Sequence, residues 1–289
     1  MNKCKTMLML GVAAFTMQMF TGCRTVPDAQ RFVLEDGTAV VCDVVLSKPS
    51  RDATERFKRL YVALHDKHLD DNADPMTLVV KMMCVEDPQG WLSLAKMLGG
   101  VDLDDPVVQE AVGNMYMFGL GLEWDMDKSI VWHKKAAEKD RAWSQCALGW
   151  LYGNNYRPPY DKVEAVRWFR RASEHGLAGA QYHLAKAYAE GAGGLPVDRE
   201  QAFRLSLKAA EGGNAEAQYF VGKAYEDGVG VAKDAAVAVK WYEKSSRGGF
   251  VNASEALAHI YEDGRDRVPK DPVKAARWRK DFKIRDAAM

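Results

Sequence analysis

One sentence of sequence is written five times in the second part of this chain, and that repetition confines it to a narrow set of architectures. Tyr116, Tyr152, Tyr188, Tyr225 and Tyr261 are spaced 36, 36, 37 and 36 residues apart. Trp132, Trp168, Leu205, Trp241 and Trp278 keep intervals of 36, 37, 36 and 37. Seven residues before each of these stands an aspartate: Asp125, Asp161, Asp198, Asp234 and Asp271. A unit of this length holds two short helices. A helix pair with one apolar flank cannot stand alone and must stack on copies of itself.

The stretch Ala217 to Ser245 shows the unit most plainly. Ala217, Val221 and Tyr225 recur every fourth residue on one helix face, and Ala238, Trp241, Tyr242 and Ser245 stripe a second helix. The aspartates stand where helix N-caps belong, and Glu164 and Gln201, three residues on, complete capping boxes in two repeats. Pro272 follows Asp271 at the first helical position, where a missing N–H costs nothing. Gly119, Gly191, Gly228 and Gly264 fall three residues after their tyrosines and suit the positive φ of a helix end, a slot that Asn155 fills in the second repeat. Glycine or alanine at 113, 149, 185, 222 and 258 lets neighbouring helices approach closely.

The pattern A-x3-[LV]-G-x2-Y-x2-G…D-x3-A-x2-W-[YF]-x2-A resembles the Sel1-like repeat, a relative of the tetratricopeptide repeat. The resemblance covers about residues 108–286. It implies an all-α fold, a right-handed α/α superhelical solenoid of about five helix pairs over 108–289, ending in a capping helix. It also implies protein–protein interaction, often as an adaptor, through a concave face lined by the first helices. Three departures stand out: Leu205-Ser206 replaces the aromatic pair of the third repeat, Pro158-Pro159 lengthens the second repeat's turn, and Arg265-Asp266-Arg267 loses the second glycine of the last. They are expected to alter local curvature rather than the fold.

The first residues read as a targeting segment. Lys3 and Lys5 precede an uncharged run from Met7 to Phe20, 14 residues long. That is short of the roughly 20 residues a membrane-spanning helix needs but suits a signal peptide over 1–22. Phe20-Thr21-Gly22-Cys23 resembles the bacterial lipobox, with Phe20 in place of the usual Leu. The resemblance implies diacylglycerol and palmitate on Cys23, which anchors the mature chain to a membrane through a tether at 23–30. Arg24 is not the aspartate associated with inner-membrane retention, so the expected place is the outer membrane, facing the periplasm.

Residues 31–107 form an N-terminal α+β region. Arg31 to Leu46 reads as a β-hairpin about Asp36-Gly37, and Ser50 to Asp70 as a helix with Phe57, Leu60, Tyr61 and Leu64 on one stripe. Pro75 to Cys84 and Trp91 to Leu98 are short helix candidates, and the spacing of Trp91, Ala95 and Gly99 matches the second helix of a decayed repeat. Cys42, Cys84 and Cys146 remain after lipidation, and three thiols cannot all pair within one chain.

The chemistry legible in the sequence points to binding rather than catalysis. With 40 basic and 40 acidic residues, or 38 and 40 after loss of the signal segment, no global field argues for nucleic acid. Gly228-Val229-Gly230 has counterparts at Gly119-Leu120-Gly121 and Gly191-Ala192-Gly193, so it is a turn and not a phosphate loop. His65 and His68 lack a third metal ligand, and Asp125 and Asp127 lack the distal glutamate of a calcium loop. No cofactor, metal or catalytic residue is expected.

The informative positions are those that vary while their neighbours stay fixed. In register on the first helices they read Glu110/Asn114, Cys146/Trp150, Tyr182/Lys186, Tyr219/Lys223 and Glu255/His259. Positions four apart share a helical face. Trp150, Tyr182, Lys186, Tyr219, Lys223 and His259 are therefore the candidate partner-binding residues, with a protein or extended peptide as ligand. Packing of the same aromatics between repeats is the competing account. A peptidoglycan-binding role, with rings stacked on sugars, and an envelope enzyme subunit with activity in 31–100 are the other two readings.

Overall fold

The computed structural model describes residues 30–33, 39–42, 51–68, 95, 97, 98, 101–153 and 160–286, with the strands and residues 63–68 described by backbone alone. The signal segment, Cys23, the helix candidate at 75–84, Trp91, Asn155 and Pro158-Pro159 lie outside the described residues. Those described divide into two compact units, one up to Leu151 and the other from Tyr152 on.

In the first unit, β1 (Gln30–Val33) pairs antiparallel with β2 (Ala39–Cys42) in the register Gln30 to Cys42 and Val33 to Ala39, which places Asp36-Gly37 in the connection. Helix α1 (Arg51–His68) buries Phe57 and Tyr61 of the expected stripe and leaves Leu60 half-buried; Thr54, which the stripe did not include, is buried beside them, and the Leu64 side chain lies outside the described residues. Helices α2 (Pro106–Phe118), α3 (Met126–Glu138) and α4 (Ala142–Gly153) follow, and the boundary between the units falls inside α4. Val108, Val112, Met115, Trp132, Ala136 and Leu148 form a core from which water is excluded.

The second unit continues the alternation with α5 (Lys162–Glu174), α6 (Ala178–Glu190), α7 (Arg199–Glu211), α8 (Ala215–Asp227), α9 (Ala235–Arg247), α10 (Val251–Asp263) and α11 (Pro272–Asp286). Apart from the hairpin and one isolated bridge, the regular structure among the described residues is helical. Within this unit the helices pack in sequence order, so its repeats bury their apolar flanks on one another. The terminal helix α11 is anchored largely by polar contacts. Arg279 forks onto Glu262, Ser254 donates to Asp281 at 2.7 Å and Arg285 donates to the Ser246 carbonyl at 2.7 Å. Ala275 is the one residue of α11 buried among those described, as suits the last element of a stack, whose far side meets water.

All five repeat aspartates cap their second helices. Their carboxylates accept from Lys128, Val163 and Glu164, Gln201, Val237 and Lys274 backbone N–H groups at 2.8–3.0 Å. Their own N–H groups donate to the carbonyls of Tyr116, Tyr152, Tyr188, Tyr225 and Tyr261 at 2.8–3.1 Å. That second bond corrects the capping-box expectation. The aspartate N–H that Glu164 or Gln201 would accept from is already committed to the tyrosine carbonyl of the preceding helix, and Glu164 pairs with Arg167 instead.

The turn glycines also hold one surprise. Gly228 ends α8 in the left-handed region, φ 74° and ψ 37°, whereas Gly264 has φ 73° with ψ 153°. A Cβ on Gly230 would stand 2.5 Å from the Arg199 carbonyl oxygen, so this second turn glycine lets the turn lie against the first turn of α7. Where the last repeat lacks it, the turn folds on itself instead, through an Arg265–Val268 bridge with Arg267 at φ 58°.

Candidate functional site

The varied positions of the first repeat do not form an open surface. Glu110 and Asn114 are 1% and 0% exposed. Helix α1 covers them: the Tyr61 hydroxyl donates to Glu110 Oε1 at 3.5 Å and accepts from Asn114 Nδ2 at 2.7 Å. Arg141 forks onto the Glu110 carboxylate, and Ser144 Oγ donates to it at 3.1 Å while standing 3.3 Å from His133 Nδ1. Burial holds the His133 imidazole down at about 3, so it is neutral. Ser144 and His133 are wholly buried, so the Ser–His–Glu cluster lies inside the packing of the first unit. Cys146 carries a buried thiol and Trp150 is 7% exposed.

The second unit arranges the same positions differently. Helices α6, α7 and α8 enclose a cleft of about 260 Å³. Ala185, Ala189, Phe203 and Ser206 lie in it, with Tyr182 and Phe220 beside them and their ring centroids 5.5 Å apart. The charged lining residues are Lys186, Glu190, Arg199, Lys223 and Asp227. Lys186 pairs with Glu190 at 4.0 Å and Lys223 with Asp227 at 3.3 Å, each about half exposed. Partial burial works against the Lys223 charge, yet the neighbouring Asp227 carboxylate holds the ammonium above the ordinary lysine range.

Of the residues singled out in the sequence, Tyr182, Lys186 and Lys223 therefore meet in one place. Tyr182 is only 7% exposed. Tyr219 is not part of the lining. It packs on Tyr242 at 5.4 Å and Phe250 at 5.1 Å, as an inter-repeat core residue does. His259 is half exposed and lies 3.6 Å from Glu262, outside this cleft. Among the described residues no group of three or more His, Cys, Asp or Glu could hold a metal ion, and no helix is long and apolar enough to cross a membrane.

The sequence reading missed Phe203, Ser206, Arg199 and Phe220. The signal for Ser206 was present in the Leu205-Ser206 departure, to which only a change of curvature was ascribed. In the first and fourth repeats the residue in the Ser206 position seats a ring on the small residue of its own first helix. A Cβ on Gly113 would stand 2.8 Å from the His133 ring, and one on Gly222 would stand 2.8 Å from the Tyr242 ring. The third repeat has Ala185 and Ser206 there, and both line the cleft.

Comparison with known proteins agrees with this architecture. The Sel1 repeat family matches residues 106–140, 144–177, 178–214, 215–250 and 251–278. A Sel1 repeat protein from Oxalobacter formigenes superposes with a TM-score of 0.64 at 29% identity, over 83% of this chain and 91% of that one. The protective antigen c5321 of uropathogenic Escherichia coli, which displays an SLR fold, gives 0.58 at 26% identity, over 80% of this chain and 54% of that one. Chitin synthase regulatory factor 3 of Schizosaccharomyces pombe is 31% identical over 166 residues, which are 56% of this chain and only 14% of that protein. Five matched repeats, a helical stack to go with them and these structural neighbours establish that the chain belongs to the Sel1 repeat family.

Proposed function

We propose that this protein is a lipid-anchored adaptor of the bacterial envelope that holds a segment of a partner protein against helices α6–α8. One observation carries the reading: the varied positions Tyr182, Lys186 and Lys223, scattered in sequence, line a single cleft on an otherwise regular stack. A rigid aromatic beside long cations is the mixture found at binding hot spots. The fission yeast relative is by its name a regulatory factor, which fits a repeat that acts by engaging another protein. The lipobox-like Thr21-Gly22-Cys23 supports anchoring through Cys23 to the outer membrane, with the solenoid facing the periplasm.

Crosslinking in intact cells followed by mass spectrometry tests the adaptor role. A protein crosslinked through α6–α8 in the native chain should be lost when Lys186 and Lys223 are both changed to glutamate. Equal recovery with the double variant defeats the reading. Anchoring is tested separately, since Cys23→Ser should move the protein from the membrane to the soluble fraction.

A further inference from the structure

The cleft between α6, α7 and α8 occupies the place where a neighbouring repeat keeps one of its own aromatic rings. In the fourth repeat the Tyr242 ring rests against Gly222 and its hydroxyl donates to Glu226 at 2.8 Å. One repeat earlier, 37 or 36 residues back, the same three positions are Ala185, Ala189 and Ser206, and all three line the cleft. The third repeat thus lacks the ring, the acceptor for its hydroxyl and the glycine that makes room for it. What remains is about 260 Å³, whereas an apolar cavity of about 150 Å³ is enough to hold benzene.

We propose that this cleft receives a phenylalanine side chain, next to an acidic residue, from a peptide segment of the partner; the inference rests on the adaptor reading above. The ring follows from the template that Tyr242 provides. Phenylalanine is favoured over tyrosine because the counterpart of Glu226 is Ala189, which offers a phenol no acceptor, and the lining carboxylates Glu190 and Asp227 are already engaged by Lys186 and Lys223. The acidic neighbour follows from charge. Lys186 and Lys223 are balanced by Glu190 and Asp227, but Arg199 is an exposed third cation on the lining with no ion pair among the described residues. Phe220, 40% exposed, supplies the edge against which an incoming ring packs.

The test uses the full-length chain and its own repeat logic. Replacing Ser206 by Tyr alone would set a ring against the Ala185 methyl, so the plugging variant is the double change Ala185→Gly with Ser206→Tyr, which restores the pairing of the fourth repeat. Toluene added to the wild type should shift the ring resonances of Tyr182 and Phe220 and leave those of the plugged variant unmoved. Peptides selected from a random library on the wild type should share a phenylalanine beside an acidic residue. They should bind the plugged variant about thirtyfold more weakly, the loss expected for one hot-spot side chain, while helical circular dichroism and Tm are retained. Peptides that bind both forms alike, or selected peptides without an aromatic residue, overturn the cleft. If the plugged variant also keeps the in-cell crosslinks, the adaptor reading stands without the cleft; if toluene and peptides behave as expected but no protein is crosslinked in cells, the cleft stands and the adaptor reading falls.

Discussion

The ring of Tyr242 lies so close over Gly222 that a Cβ at that position would stand 2.8 Å from Cδ1 and Cε1. His133 holds the same relation to Gly113. In these two repeats the small residue of the first helix is thus a seat for a particular side chain of the second helix, not merely a spacer. In the chain itself glycine goes with a ring at positions 113 and 222, while Ala185 and Ala258 go with Ser206 and Arg279.

That coupling can be measured by urea unfolding. Gly222→Ala gains about 1 kcal/mol in helix propensity but meets a fully packed ring, and overpacking costs about 1–3 kcal/mol. A net loss of stability is expected. In Gly222→Ala combined with Tyr242→Ser, the pairing found at Ala185 and Ser206, the alanine should no longer be penalised. The double-mutant cycle should therefore show a coupling of at least about 1 kcal/mol. An additive cycle would mean that ring and glycine are independent.

The cap at Asp234 separates a hydrogen bond from an ion pair. Its carboxylate accepts from the Val237 N–H at 3.0 Å and also lies 3.7 Å from Arg267, whose side chain is 82% exposed. Exposed pairs are worth little, whereas N-caps are worth about 1 kcal/mol. Asp234→Ala should lose about that amount, Asp234→Asn much less, and Arg267→Ala almost nothing. Urea midpoints that ranked Arg267→Ala with Asp234→Ala would show that the ion pair matters instead.

How far the sequence showed this outcome depends on the kind of contact. The period, the five caps, the α1 stripe and the pairing of β1 with β2 follow from local chemistry: helix ends need acceptors, and apolar residues recur at the period of the element that buries them. The cleft was half visible. Tyr182, Lys186 and Lys223 stood out because they vary on a fixed template, but placing Tyr219 beside them failed because its ring turns toward Phe250, a contact between repeats that no single-helix pattern encodes. Glu110 and Asn114 looked like groove floor for the same reason. Only the packing of α1, nearly 50 residues earlier, shows that they are covered.

His133 should make the first unit acid-sensitive. Burial lowers its folded-state value to about 3, against 6.5 for an ordinary histidine. The depressed value means that stability is fully present above about 6.5 and is lost as the unfolded chain alone takes up a proton, at about 1.4 kcal/mol per pH unit down to about 3. Between pH 7.5 and 5 the loss from this group should be about 2 kcal/mol. His133→Phe, which copies Phe169 of the second repeat and leaves Ser144 bonded to Glu110, should remove that part of the slope. Denaturant titrations at the two pH values decide it, and an unchanged slope in the variant would assign the acid sensitivity elsewhere.

Glu110 is the residue on which the seating of α1 should depend most. Its carboxylate, on a side chain 1% exposed, takes the Tyr61 hydroxyl from α1, the Arg141 fork and the Ser144 hydroxyl. Other ties of α1 include the Tyr61 hydroxyl accepting from Asn114 Nδ2 at 2.7 Å, the Thr54 hydroxyl accepting from the Asp102 N–H at 2.9 Å and a part-exposed Lys58–Asp105 pair at 3.0 Å. Removing a buried carboxylate strands its donors, but the partly exposed Arg141 can turn to water, so Glu110→Ala should cost about 2 kcal/mol rather than the larger loss of a fully buried pair. Glu110→Gln keeps an acceptor and should cost less. The loss should be local: amide exchange across Arg51–His68 should quicken while exchange in α2 holds close to its native rate. If α1 stays as protected in Glu110→Ala as in the native chain, then Phe57 and Tyr61 hold it by apolar contact alone, and the polar network is an accompaniment to that packing rather than its cause.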